Sequence, residues 1–340
     1  MDRQKSMYKN EYRDGKYQVI RELGRGGSGV VYLVNDIRLN CLRALKEIEF
    51  SNEENFEREL MILKKIRSQY FPILLDCFRE DEYAYLVMEY IEGINLKEYM
   101  QKQTSVNLNS ICRIGQQIAQ ALKELHYSVV PIFYGDLKPS NIMIDDQDRI
   151  KLIDFGTACS MQKKGVGTKG YAAPEQYGAE EYLGLMDTGY ESYTIDIFSL
   201  GVILHELLYG EKPYGEQFIR CEQSFGGPFS EENRVIEKCI KLNPYERYQS
   251  INHFIYDWDC IYQKKSHYPT FFMCAFLTTY CLSIVQFCVI VCFEIRAFWL
   301  PCITFLISCL CYIQYKKKLE KNHKNEIVDR YRILKTHKDF

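Results

Sequence analysis

Three glycines and one lysine, set at fixed distances near the start of the chain, are the first residues whose types could do chemistry together. They are Gly24, Gly26 and Gly29 in Gly24-Arg25-Gly26-Gly27-Ser28-Gly29, and Lys46 in Ala44-Leu45-Lys46. A run of small residues lets backbone N–H groups close over an anion, and a lysine on a neighbouring strand adds the charge to hold it. A dinucleotide-binding turn would instead open a helix after the last glycine and place an acid about twenty residues on. Here Val30-Val31-Tyr32-Leu33-Val34 follows, which is strand-like. Strand, glycine turn, strand, then a strand with an inward lysine is the layout of a flap folded over nucleotide phosphates. The glycine string alone also fits a plain hairpin; Lys46 at this distance favours the flap.

Further strings follow in order: Arg58-Glu59-Leu60-Met61-Ile62-Leu63, Leu86-Val87-Met88-Glu89-Tyr90, and Tyr134-Gly135-Asp136-Leu137-Lys138-Pro139-Ser140-Asn141. After them come Asp154-Phe155-Gly156, thirteen residues beyond Asn141, then Gly167-Thr168-Lys169-Gly170-Tyr171-Ala172-Ala173-Pro174-Glu175, Asp196-Ile197-Phe198-Ser199-Leu200-Gly201, and Arg247. In this order and spacing they resemble the eukaryotic-like serine/threonine protein kinase family over residues 15–262, about three quarters of the chain.

The resemblance implies a role for each position. Glu59 pairs with Lys46 and aims it at the α- and β-phosphates of ATP, under the flap of Gly24, Gly26 and Gly29. Met88 stands at the back of the adenine slot, the backbone from Glu89 to Ile91 bonds the base, and Val31, Ala44 and Met143 form its apolar walls. Asp136 orients the substrate hydroxyl or takes its proton, Lys138 neutralises charge on the moving phosphoryl group, and Asn141 and Asp154 hold Mg2+, with Mn2+ as a substitute. Thr168 bonds Asp136 and Lys138, and a lysine two residues after the aspartate is the serine/threonine arrangement. Glu175 and Arg247 form a buried structural pair, and Asp196 braces the loop that carries Asp136.

Two positions depart from the family pattern. Tyr134 stands where the commonest loop has histidine, and is expected to stack beside Leu63, Cys77 and Phe155. Gly135 replaces the arginine that gathers around an activation-loop phosphate, so activity is expected not to require that phosphate. Thr157, Ser160 and Thr168 are the Ser/Thr acceptors between Gly156 and Ala173. Ser140 and Asn95 fall where some basophilic kinases carry acids, so nothing here supports a basic-substrate preference. A pseudokinase scaffold would show damage at Lys46, Asp136, Asn141 or Asp154, and all four are intact; a small-molecule phosphotransferase would lack the Gly167–Glu175 string.

These residues need elements to position them. Residues 1–14 read as a polar leader, with no apolar run. Short β-branched runs from Tyr17 to Phe50 read as strands. Residues 53–66 place Phe56, Leu60, Leu63 and Ile66 at helical spacing, with acids leading and lysines trailing as the helix dipole prefers. Strands are expected near 73–78 and 83–88, and helices over 107–127 and 194–209. The fold expected is α+β and bilobal, a small β-rich lobe before a larger helical one.

The remainder is of a different character. Residues 269–293 hold no charge and as a helix would reach about 37 Å, enough for a bilayer core; 297–314 would reach about 27 Å. Together they are expected to form a transmembrane helical hairpin behind a basic linker at 263–268, with little exposed outside. Lys264, Lys265 and His267 on one flank and Lys316, Lys317 and Lys318 on the other place both ends, and the 315–340 tail, on the cytoplasmic side of the cell membrane. Residues 263–340 carry 12 Lys/Arg against 5 Asp/Glu, which leaves 31 basic and 40 acidic residues in 1–262. An acidic body thus precedes a basic tail suited to anionic lipid headgroups.

The 14 cysteines form no CxxC pair and read as reduced thiols rather than a zinc site or disulfide framework. Cys274, Cys281 and Cys288, seven apart, read as apolar filler in lipid or as the helix-pairing stripe of a homodimer. Partners expected are proteins bearing Ser or Thr, and membrane lipid; nucleic acid is not among them. A composition rich in Tyr, Lys, Asn and Ile points to a bacterial source.

Overall fold

The structure is a computed structural model that describes residues 11–49, 51, 53–103, 106–158, 167–177, 193–214 and 230–261, with residues 281, 282, 284, 285 and 306. The chain divides into two compact units, 1–224 with 233–258, and 225–232 with 259–340.

The first unit opens with an antiparallel sheet of six strands: β1 (Tyr12–Arg13), β2 (Tyr17–Gly26), β3 (Gly29–Asp36), β4 (Cys41–Glu49), β5 (Leu74–Glu80) and β6 (Tyr83–Glu89), in the order β1-β2-β3-β4-β6-β5. Alternation decides what each strand residue does. In β4, Leu45 lies opposite Tyr32 on β3 and Val87 on β6. With Tyr17, Val19, Val30, Val34 and Tyr85 these residues close a core on one face of the sheet. The other face carries Ala44 and Lys46; Lys46 is paired with Val31 and Leu86, and Ala44 with Met88. Residues paired across a ladder share a face, so register alone gathers Val31, Ala44, Lys46 and Met88.

The β2–β3 turn closes where Gly26 pairs with Gly29. Gly29 adopts φ +130°, and a Cβ there would fall 2.2 Å from the Glu47 carbonyl oxygen, so backbone meets backbone only because this residue is glycine. Helix α1 (Glu53–Lys65) has the expected charge order, Glu53 and Glu54 first and Lys64 and Lys65 last, and buries Phe56, Glu59, Leu60, Ile62 and Leu63. It stops one residue short of Ile66, whose N–H still reaches Ile62 O at 3.1 Å.

Beyond β6 come β7 (Ile94–Asn95), α2 (Leu96–Lys102), α3 (Leu108–His126), β8 (Ile142–Ile144), β9 (Ile150–Leu152), α4 (Tyr193–Tyr209) and α5 (Ser230–Cys239). Asn95 caps α2 by accepting the Glu98 N–H at 2.9 Å. One face of α3, including Ile111, Ile114, Ile118, Leu122 and Leu125, is buried. Helix α4 is buried nearly all round, as an element apolar on every side must be. Trp258, also fully buried, donates its indole N–H to Cys112 O on α3 at 3.0 Å. The small sheet β7-β8-β9 carries Met143 beside the catalytic string.

Little of the second unit is described. Cys281, Leu282, Ile284, Val285 and Leu306 are helical and exposed. Among the described residues no helix is long and apolar enough to cross a membrane. The two runs expected to span, 269–293 and 297–314, lie almost wholly outside the described residues, as do Ser160 and the 315–340 tail.

Candidate active site

Two groups of charged side chains converge in the first unit. The first is built on Lys46. Its Nζ donates to both Glu59 oxygens at 2.7 and 2.8 Å and to Asp154 Oδ1 at 2.8 Å. Burial alone would strip the proton from Lys46, but the Glu59 and Asp154 carboxylates hold its ammonium above lysine's ordinary value. Burial opposes the Asp154 charge as well, yet Lys46, the Gly156 N–H and Ser28 bring its carboxyl below the usual range. Asp154 is held at φ +68°, a left-handed conformation that non-glycine residues occupy at a cost of about 1–3 kcal/mol. The hydrogen bonds to Lys46, Gly156 N at 3.2 Å and Ser28 Oγ at 3.1 Å offset it.

Gly24 and Gly26 behave unlike Gly29. Neither has a positive φ and neither would meet any atom within 4 Å if given a Cβ, so internal packing does not demand glycine at either position. The space they leave lies along the strand pair that carries Val31 opposite Lys46.

The second group is built on Asp136. Thr168 Oγ1 donates to Asp136 Oδ1 at 2.7 Å, Lys138 Nζ donates to Asp136 Oδ2 at 2.6 Å, and the same ammonium donates to Thr168 Oγ1 at 2.8 Å. Asn141 Nδ2 donates to the Asp136 carbonyl at 3.1 Å, and among the described residues no donor is bonded to the Asn141 amide oxygen. That oxygen and the Asp154 carboxylate are hard donors of the kind Mg2+ takes. Among the described residues no three His, Cys, Asp or Glu side chains gather into a metal cage.

The loop bearing Asp136 is fixed from below by Asp196, at the start of α4, where the helix dipole favours a carboxylate. Its oxygens accept the Tyr134 and Gly135 N–H groups, each at 2.9 Å, and His126 Nε2 at 2.9 Å. Gly135 has φ +78°, a conformation that favours glycine. Tyr134 is fully buried, donates its hydroxyl to the Ile153 carbonyl and meets Phe155 edge-on at 5.6 Å. The expected neighbour Phe155 is therefore in place.

Met88 is buried, whereas Val31, Ala44 and Met143 are half-exposed, as walls of an open slot would be. Along the hinge, Glu89 N–H is already taken by Ile73 O at 2.9 Å, so of the backbone expected to bond adenine this donor is spent. The Glu175–Arg247 pair forms as expected, with distances of 2.5 and 2.9 Å.

Four contacts were not anticipated from the sequence. Ser28 reaches Asp154; the Glu89 carboxylate takes Lys151 Nζ at 2.8 Å; His126 meets Asp196; and Gln176 joins Gly135 O at 2.7 Å to Ala173 N at 2.8 Å. Only Gln176 carried a signal, since it directly follows the Ala173-Pro174-Glu175 string.

A bilobal unit with a lysine–glutamate–aspartate cluster on one side and a braced aspartate–lysine–threonine cluster on the other defines a protein kinase, and the family model for the protein kinase domain matches residues 17–258. The chain belongs to that family, on its serine/threonine side. It is similar to serine/threonine-protein kinase PrkC of Bacillus subtilis (strain 168), 31% identical over 263 residues that make up 69% of this chain and 39% of the relative. It is also similar to wall-associated receptor kinase-like 18 of Arabidopsis thaliana, 34% identical over 207 residues, 57% of this chain and 25% of the relative. The chain spans well under half the length of these curated relatives.

Proposed function

We propose that this chain transfers the γ-phosphate of ATP to Ser and Thr hydroxyls of proteins, through a kinase domain at residues 15–262. The observation that carries the reading is the assembled Lys46–Glu59–Asp154 cluster, with Lys46 bonded at 2.7–2.8 Å to both carboxylates. A scaffold that had lost catalysis would have no use for an ammonium and two carboxylates gathered at a cost in desolvation.

In this reading Lys46 faces the phosphates of ATP beneath Gly24, Gly26 and Gly29, and Val31, Ala44, Met88 and Met143 hold the base, with hydrogen bonds from Glu89 O to Ile91. Mg2+, once bound between Asn141 and Asp154, supplies charge neutralisation for the transferred group. Asp136 receives the substrate hydroxyl: its carboxylate is pre-oriented by Thr168 and Lys138, so it points without reorganising. Lys138, bonded to Asp136 and Thr168, then offsets charge on the moving phosphoryl group.

Gly135 offers no cation to an activation-loop phosphate, and Gln176 and Asp196 fix its backbone instead, which supports activity without that phosphate. We also place residues 269–314 in a membrane as a hairpin. The support is two uncharged runs flanked by lysines, and the exposure of helical Leu282, Ile284, Val285 and Leu306.

The test is phosphate transfer by the full chain in vesicles, with ATP and Mg2+, to itself and to a generic protein substrate. Wild type should form phosphoserine or phosphothreonine, before and after phosphatase treatment alike. Asp136→Asn should lose at least about a hundredfold. Equal incorporation by wild type and Asp136→Asn would sink the assignment.

A further inference from the structure

Against the Gly167–Glu175 string lies a cation with no carboxylate partner among the described residues. Lys212, three residues beyond the end of α4, lays its ammonium over the Tyr171 ring, 4.1 Å from the centroid. Gly170, at φ +84°, is what gives the lysine its path: a Cβ there would sit 2.8 Å from Lys212 Nζ and 3.0 Å from its Cδ. The ring face attracts the ammonium and pins its direction. Lys212 makes no ion pair with any described residue. Glu206 stands on the same ring, its Oε2 accepting the Tyr171 hydroxyl at 2.7 Å, and Glu211 precedes Lys212 in the chain.

The location matters because of what lies two residues upstream. Thr168 is bonded to Asp136 at 2.7 Å, and two residues of chain reach at most about 7.6 Å. The Lys212 ammonium, set against Gly170, is therefore no more than two residues of chain from the Thr168 that holds Asp136. An extended substrate advances about 3.3 Å per residue, so side chains one to three positions from the acceptor pass this charge. Lys169 is exposed in the same string, and Asn95 and Ser140 add no negative charge.

We propose that Lys212 is a specificity residue: it selects substrates that carry a carboxylate side chain one to three residues from the phosphorylated Ser or Thr. The inference rests on the kinase reading above and narrows its substrate class to acidic sequences.

The experiment compares kcat/KM of the full chain on threonine peptides in which each position from three before to three after the acceptor holds Glu, Ala or Lys in turn. Glu should exceed Ala on the order of ten-fold at one of these positions. Lys212→Met should abolish that preference, Lys212→Glu should turn it toward Lys, and Lys212→Arg, which keeps both the charge and the ring contact, should retain it. Equal use of all peptides, or a preference for Lys of the kind Glu206 would give, overturns the inference and leaves the kinase reading standing. An acid preference unchanged in Lys212→Met also overturns it. No transfer to any peptide overturns both.

Discussion

Among the described residues of the first unit, two buried ion pairs join a lysine or arginine to both oxygens of a carboxylate. Lys46 and Glu59 have side chains 3% and 1% exposed, and Arg247 and Glu175 are 0% and 0%. They differ in where the remaining donors go. Arg247 sends Nε to Lys241 O at 2.7 Å and its other free N–H groups to Thr194 O and Leu242 O, at 3.2 and 3.0 Å. All five guanidinium donors therefore end on protein. Lys46 spends its third N–H on Asp154, whose side chain is 35% exposed. One pair is a closed staple; the other opens through Asp154 toward the cleft. A buried ion pair becomes available for chemistry when one of its partners still reaches solvent and ligand.

The largest effect expected from this difference is on stability at the closed pair. Glu175→Ala leaves the Arg247 charge in the interior, and a guanidinium cannot shed its proton to escape. Breaking such a pair costs about 3–5 kcal/mol, which urea unfolding of the full chain should show; a loss below about 1 kcal/mol would break the comparison. Lys46→Met should do the opposite. Phosphate transfer should fall at least about a hundredfold, while stability drops by less than about half the Glu175→Ala loss. The reason is that burial, with the charge of Asp154, already pushes the Glu59 carboxyl up, and Lys46 is what pulls it back. Once the lysine is gone, Glu59 takes a proton and no charge is stranded. Equal stability losses in the two variants would show that the cleft gives Glu59 no such relief.

Much of both pairs was legible in the sequence, for a physical reason. Lys46, Glu59, Asp136, Asn141 and Asp154 stand in strings whose order and spacing resemble those of the family, at separations fixed by the elements between them. Strand alternation then sets Val31, Ala44 and Met88 on the face of Lys46. The contacts that were not legible join common residue types across long separations. Ser28–Asp154 spans 126 residues and Glu89–Lys151 spans 62, and neither leaves a periodic trace. His126 looked like the end of an amphipathic helix, and only the fold shows that it shares Asp196 with the catalytic loop. The uncharged runs are read as membrane spans from length and charge alone, and most of their residues lie outside those the structure describes.

The comparison is sharpened by a cluster in which cation and carboxylate are both partly exposed. On the outer sheet Asp76 accepts from Lys16 Nζ at 2.6 Å and from the Tyr17 hydroxyl at 2.8 Å, with its side chain 34% exposed. Partial burial works to raise the Asp76 carboxyl, but Lys16, Tyr17 and the Cys77 N–H together bring it below the usual carboxylate range. A carboxyl lowered in the folded state stabilises it above the unfolded value, near pH 4, and loses that contribution as pH falls through the folded value. Asp76→Asn should therefore lower Tm at pH 7 by only about 1–2 °C, because solvent screens so exposed a pair. Wild type and variant should converge as pH falls through the lowered folded-state value, where the wild-type carboxyl is itself protonated. A gap that persists there would mean that Asp76 acts through its neutral hydrogen bonds, and that charge contributes at the buried pairs and not at this one.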